Sequence, residues 1–192
     1  FSRWLNRPGA DQVAFFTDTR ERLGLDFLEF LPMETAVEAG ENWPVIAQAT
    51  RGISGAEIDV FSNARLATLE DALAVRAKVP LIDTPSAEPT NREIEDRGMV
   101  VHAASPVNLS GTQGVLVGGM LLNRNLDFID TINDLVYLNA VTGGDRQGTA
   151  TLFLDDLRIS TNVRLFEDVR ALGTRVSAEV REAVLIDGRT WL

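Results

Sequence analysis

Apolar and polar positions along the chain switch between helical and strand spacing. Val13, Phe16 and Leu23 share one helical face, interrupted by Arg20, and predict a helix over about 12–23. Asn6-Arg7-Pro8-Gly9 is a turn before it, Asp11 is placed to cap it and Gly24 to stop it. The apolar run Leu25 to Leu31, closed by Pro32, predicts a strand. Pro44 suits the first turn of a helix that runs to about Thr50, ended by Gly52 and Gly55. Ala56 to Ser62 alternates cleanly, with Ile58 and Val60 on one face and Glu57, Asp59 and Phe61 on the other. Arg65 to Leu69 either pairs back or runs into a helix over Glu70–Ala77. A polar stretch from Pro80 to Gly98 with three prolines has the length of a lid, a binding loop or a linker.

Two strong strands follow, Met99–Ser105 and Gln113–Leu122, joined by a turn over Asn108–Thr112 as an antiparallel hairpin. Ala103, Ala104, Gly118 and Gly119 leave little side-chain volume in mid-strand, where another group can approach the backbone closely. Leu126–Tyr137 is a helix, Thr142 to Gly148 a flexible joint, and Thr149–Leu154 with Leu157–Val163 a second hairpin turned by Asp155-Asp156. Val176–Leu185 is a short helix stopped by Asp187-Gly188. The order is helix, strand, helix, hairpin, helical linker, hairpin, helix: one α+β unit over roughly 25–124, and a second that begins near 148 and stops early. A two-stranded ribbon is marginal alone, so further chain or another element is expected to cover it.

Composition narrows the function. The chain has 192 residues, 45% hydrophobic and 24% charged, which excludes a disordered or low-complexity protein. Net charge is −10, concentrated before residue 97, and this argues against nucleic acid, whose phosphates require a basic surface. There is no cysteine, hence no disulfide, thiolate nucleophile or thiolate-held zinc, and a single histidine, His102, hence no multi-histidine metal site in one chain. No apolar run reaches the ~18 residues that span a bilayer. A first residue of Phe rather than Met, with no visible signal peptide, reads as a fragment or processed product.

The stretch Gly148-Thr-Ala-Thr-Leu-Phe-Leu-Asp-Asp-Leu-Arg-Ile-Ser-Thr-Asn-Val-Arg164, followed by Ala171–Ser177, Val180–Val184 and Gly188-Arg-Thr-Trp191, resembles the opening half of a membrane-proximal Cache unit. Gly114–Asn125 and Leu126–Asp130 resemble the last strand and exit helix of a distal one. On these residues the chain is similar to the extracytoplasmic double Cache sensor regions of bacterial sensor histidine kinases and chemoreceptors. The resemblance implies an α+β fold: a PAS-like antiparallel sheet with a long N-terminal helix, then a partial second unit. The expected division is an N-terminal helical segment 1–24, a distal sensor unit with exit helix 25–137, and an incomplete proximal unit 148–192. It implies a periplasmic, non-catalytic module of a homodimeric receptor, anchored by membrane helices outside this chain, that binds a small molecule and needs no cofactor. The chain departs from the family in lacking the later proximal strands and the aromatic-plus-Asp signature of amino-acid-binding relatives.

Several residues are candidates for ligand contact. His102 shares a strand face with Val100 and Ala104 beside small residues, and is either a ligand-contacting imidazole or a core histidine satisfied by backbone. Arg97 and Arg124 sit at the strand ends, where a planar guanidinium can clamp a carboxylate or pair with a surface acid. They suggest an organic anion, although the acidic first half suits a cation equally. Asn123 offers an amide, Trp43 a pocket wall, and Phe61 either the rim of a groove or an exposed aromatic. Asp155-Asp156 reads as a turn and not a metal site, since calcium takes six to eight oxygens. Gly143-Gly144 lacks the Gly-Lys-Ser of a phosphate loop. Two rival functions remain: a ligand-free dimerisation module using Phe15 and Phe16 of the first helix, and a hydrolase using His102. No Gly-x-Ser-x-Gly elbow supports the latter.

Overall fold

The computed structural model describes residues 9–137, 141–142, 145–146, 148–166 and 169–191. The turn predicted at Asn6–Pro8 and the glycine pair 143–144 lie outside the described residues. In chain order the elements are α1 (Gly9–Arg22), β1 (Phe27–Pro32), α2 (Met33–Gly40), α3 (Pro44–Thr50), β2 (Gly55–Phe61), α4 (Asn63–Leu69), α5 (Asp71–Ala77), β3 (Val79–Pro80), β4 (Ile94–Glu95), β5 (Gly98–Leu109), β6 (Thr112–Leu121) and α6 (Leu126–Val136). There follow β7 (Val141–Thr142), β8 (Asp145–Arg146), β9 (Thr151–Leu154), β10 (Leu157–Thr161), β11 (Arg164–Phe166), β12 (Val169–Arg170) and α7 (Ala178–Arg181), which runs on into a π-helical turn at Glu182–Ile186. The fold is α+β with an antiparallel sheet, as a Cache or PAS-like fold requires. No described helix is long and apolar enough to cross a membrane.

The chain divides into two compact units, one running to Phe61 and resuming over Met99–Leu121, the other holding Ser62–Gly98 and the residues from Leu122 onward. The first is built on the sheet β1-β6-β5-β2. Its hairpin turns through Ser110 and Gly111, both at positive φ, the geometry that matches strand twist, and Asn108 Oδ1 accepts from the Gly111 amide. The register sets Phe27 opposite Gly119 and Gly119 opposite His102, so these three lie in one row on one face. Gly119 is required there: a Cβ would stand 2.8 Å from the Phe27 ring and 2.9 Å from the His102 Cβ. Gly118 likewise admits Leu25 and Leu28 on the opposite face.

Val100, His102, Ala104, Val117 and Leu121 line the row's face and are all buried, together with Val45, Ile46 and Ala49 of α3. On β2 it is Phe61 that is buried, while Ile58 and Val60 are exposed. Phe61 is therefore a core ring and not an exposed aromatic. Phe15 and Phe16 of α1, half-buried, meet Leu28, Phe30 and Leu116 around a small apolar cavity. The helix α1 begins at Gly9, ahead of Asp11, which is consequently inside the helix and not its cap. The helix α2 falls in a stretch for which the sequence pattern predicts no element.

The second unit opens with α4, which settles Arg65–Leu69 as helix because Ser62 Oγ accepts from the Arg65 amide at its start. Leu66, Leu73, Ala74 and Ala77 bury one side of α4 and α5. The Pro80–Gly98 stretch is closed at its base by β3 and β4, with Val79 opposite Glu95 and Pro80 opposite Ile94. The β9–β10 ribbon turns at Asp155, at φ +53°, and buries Leu154, Leu157 and Ile159. Asn125 caps α6 through the Phe128 amide.

Candidate functional site

Two groups of side chains stand out, one in each unit. In the first, His102 is 1% exposed and its Nε2–H donates to Asp59 Oδ2 at 2.7 Å. Its ring meets those of Phe61 (centroids 5.3 Å apart) and Trp43 (6.0 Å) nearly at right angles, and Phe27 extends the cluster beyond Phe61. Trp43 and Phe61 are themselves 4.4 Å apart. Among the described residues His102 Nδ1 is buried with no hydrogen-bond partner. Glu57 lies on the same face of β2 as Asp59, and its Oε1 accepts from the Val45 amide at 2.7 Å, satisfying one of the open donors at the start of α3.

In the second unit, Glu95 is 2% exposed and saturated with donors. Arg97 grips it with Nε at 2.9 Å and Nη2 at 2.7 Å, the Arg97 backbone amide adds a third bond at 2.9 Å, and Arg92 binds Oε2. Burial pushes the Glu95 carboxyl up, but the hydrogen bonds and charge of Arg97 and the charge of Arg92 outweigh it and hold the group below its ordinary value. Glu95 and then Asp155, whose Oδ2 accepts from Arg97 Nη2 at 2.6 Å, raise the Arg97 pKa. Asn123, fully buried, donates to the carbonyls of Ala77 and Arg97. Arg124 is exposed, in the left-handed region at φ +56°, and its amide donates to the Ile159 carbonyl.

The residues singled out from the sequence thus fall into separate groups: Trp43, Phe61 and His102 together, Arg97 and Asn123 together, and Arg124 at a turn. A cleft of about 480 Å³ lies within the second unit, lined by Leu81 to Glu93 and by Arg175. The 173–178 segment ties this loop down. Ile82 N donates to the Gly173 carbonyl, Arg175 N to Thr84 Oγ1, and Ala178 N to the Ser86 carbonyl. Gly173, at φ +83°, is needed because a Cβ would stand 2.2 Å from the Pro80 carbonyl oxygen. The Arg175 guanidinium spans the Glu88 carbonyl and Asp156 Oδ2, the latter at 2.6 and 3.0 Å. Asp83 and Glu93 line the same cleft with no ion pair to a described residue.

Sequence reasoning missed Glu95, Arg175 and the Asp156 that anchors it. Arg175 lies 91 residues from Thr84, and no periodicity announces such a pairing. The alternation Glu57-x-Asp59 does place both acids on one strand face, and that was the available signal for their meeting His102.

Residues 120–192 match the family model of single Cache domain 3. The matched segment is less than half the chain and holds Arg175 and the β9–β10 ribbon. No curated protein and no solved structure was found to match. The match supports a Cache sensor domain, a ligand-binding and non-catalytic kind of module that detects small molecules outside the cell for signalling receptors.

Proposed function

We propose that this chain is the extracytoplasmic, periplasmic ligand-sensing region of a membrane-anchored receptor, most simply a sensor histidine kinase, and that its ligand is a small organic cation held in the Leu81–Glu93 cleft. The observation that carries this reading is that the family match and the cleft share Arg175, so the Cache-like segment itself supplies a wall of the cavity. Charge decides the ligand class. The guanidiniums of Arg92 and Arg175 are already neutralised by Glu95 and Asp156, whereas Asp83 and Glu93 are left to face a guest. Arg97 is held by Glu95 and Asp155 in the same way, which weakens the case for an organic anion.

Binding is expected to hold the loop more firmly on the 173–178 segment and to bias α6 between two arrangements, by no more than the ligand's differential affinity for them. A melting-temperature screen of the whole chain against amines and organic acids tests this. Amines should raise the melting temperature, and Asp83→Asn with Glu93→Gln should remove the effect. Hydrogen exchange should then slow over 80–98 and 126–137 at saturation. No shift with any amine would overturn the ligand class, and no shift with either class would overturn the site. A ligand-free dimerisation module is the second reading, favoured by exposed Leu185, Ile186 and Trp191 near the end of the chain; tight dimers with an empty screen would select it.

A further inference from the structure

The buried histidine of the first unit has more around it than a core residue needs. One carboxylate oxygen of Glu57, one of Asp59 and one imidazole nitrogen of His102 all lie within 4.8 Å of one another. We infer that these three side chains form a binding site for a divalent transition-metal ion of the zinc class. This does not rest on the cleft of the second unit or on its ligand.

The chemistry of the donors selects the ion. Zinc holds imidazole nitrogen and carboxylate oxygen at about 2.0–2.2 Å, which brings neighbouring ligand atoms to roughly 3.5 Å of one another. Small side-chain rotations reach that spacing from the present one. A nitrogen with two carboxylates suits zinc, cobalt or nickel, whereas calcium and magnesium require six or more oxygens. Two carboxylates also match the charge of a divalent ion. With a single histidine in the chain, carboxylates are the available means of completing such a set. Glu57 is held in place by the Val45 amide on Oε1, an outer bond of the kind that orients a metal ligand. The Asp59 side chain is 26% exposed, so an ion can enter and water can fill its remaining positions.

The unpartnered Nδ1 of His102 is the second observation. With the proton on Nε2, donated to Asp59, Nδ1 is a buried lone pair that no described donor meets. Metal at Nε2 displaces that proton, and neutral imidazole keeps it by carrying it on Nδ1. The Trp43 and Phe61 rings that pack on the imidazole stand nearly perpendicular to it, with centroids 6.0 and 5.3 Å away.

The test uses the whole chain, stripped with a chelator. Zinc titrated by calorimetry should bind with one equivalent and a Kd in the micromolar range or tighter. Calcium and magnesium should give no heat. Nickel should quench Trp43, whose ring lies 6.0 Å from His102, and Trp43→Phe should remove the quenching while zinc affinity persists. Asp59→Asn and Glu57→Gln, both checked for folding by circular dichroism, should each weaken zinc by about 10-fold or more. The inference is overturned by a zinc Kd of millimolar or weaker, by equal response to calcium, or by affinity unchanged in a folded Asp59→Asn or Glu57→Gln variant.

Discussion

Each unit buries an ionisable side chain almost completely, Glu95 in one and His102 in the other, and these two are treated in opposite ways. Glu95, 2% exposed, has every donor a carboxylate can use, from Arg92, from the Arg97 side chain and from the Arg97 amide. His102, 1% exposed, has Asp59 on one nitrogen and nothing described on the other. A buried polar group that is fully met serves the structure around it; one left half-met has a cost that the fold tolerates for another reason. The comparison assigns Glu95 the task of pinning the base of the Pro80–Gly98 loop, and leaves His102 with one ring nitrogen unmet.

The largest expected break of this contrast is Glu95→Gln. It removes the anion that four N–H donors converge on and leaves the Arg97 guanidinium with Asp155 alone. Loss of charge-assisted hydrogen bonds at a buried site should lower stability by about 3 kcal/mol, read by denaturant unfolding. A change below about 0.5 kcal/mol would show that Glu95 pins nothing. Gly119→Ala comes next. Its Cβ meets Phe27, the Val101 carbonyl and His102 at 2.6–2.9 Å, and overpacking of this kind costs about 2 kcal/mol. The near-ultraviolet signal of the Trp43–Phe61–His102 cluster should change with it; an unchanged signal and stability would mean the row is loosely packed.

The smallest effect is on pH dependence. Glu95 is held below its ordinary value of 4.5 when folded, so the unfolded chain takes up its proton first as pH falls. The stability it contributes is complete above 4.5 and is drawn down as pH drops from there through the folded value. The Glu95→Gln variant should therefore show a flatter decline in melting temperature over that window than the parent chain. An equal decline would place the acid sensitivity in other carboxylates.

Much of the fold is legible in the residues. The turn within Asn108–Thr112 and the stop at Gly24 follow from local backbone chemistry that neighbours within a few residues decide, whereas the caps at Ser62, Asn125 and Ser177 are not read from the sequence and the cap expected at Asp11 is not one. The candidate sites are less so. Trp43, Phe61 and His102 are visible one by one as side chains worth attention, but their meeting depends on contacts 41–59 residues apart in the chain. Arg97 is visible as a cation at a strand end, yet which acids it would choose among the 28 in the chain is not.

By itself the sequence determined the alternation of β2, the small residues in the middle of β5 and β6, the lack of any thiol, and the α+β class. Only the tertiary structure decided that the acidic face of β2 turns toward His102 while Ile58 and Val60 face out, and that Glu95 lies buried beneath two arginines. The physical reason is that a period of two is symmetric between the faces of a strand. The energy that breaks the symmetry comes from residues far along the chain: the aromatic rings that cover His102 on one side, and the guanidiniums that make it possible to bury a carboxylate on the other.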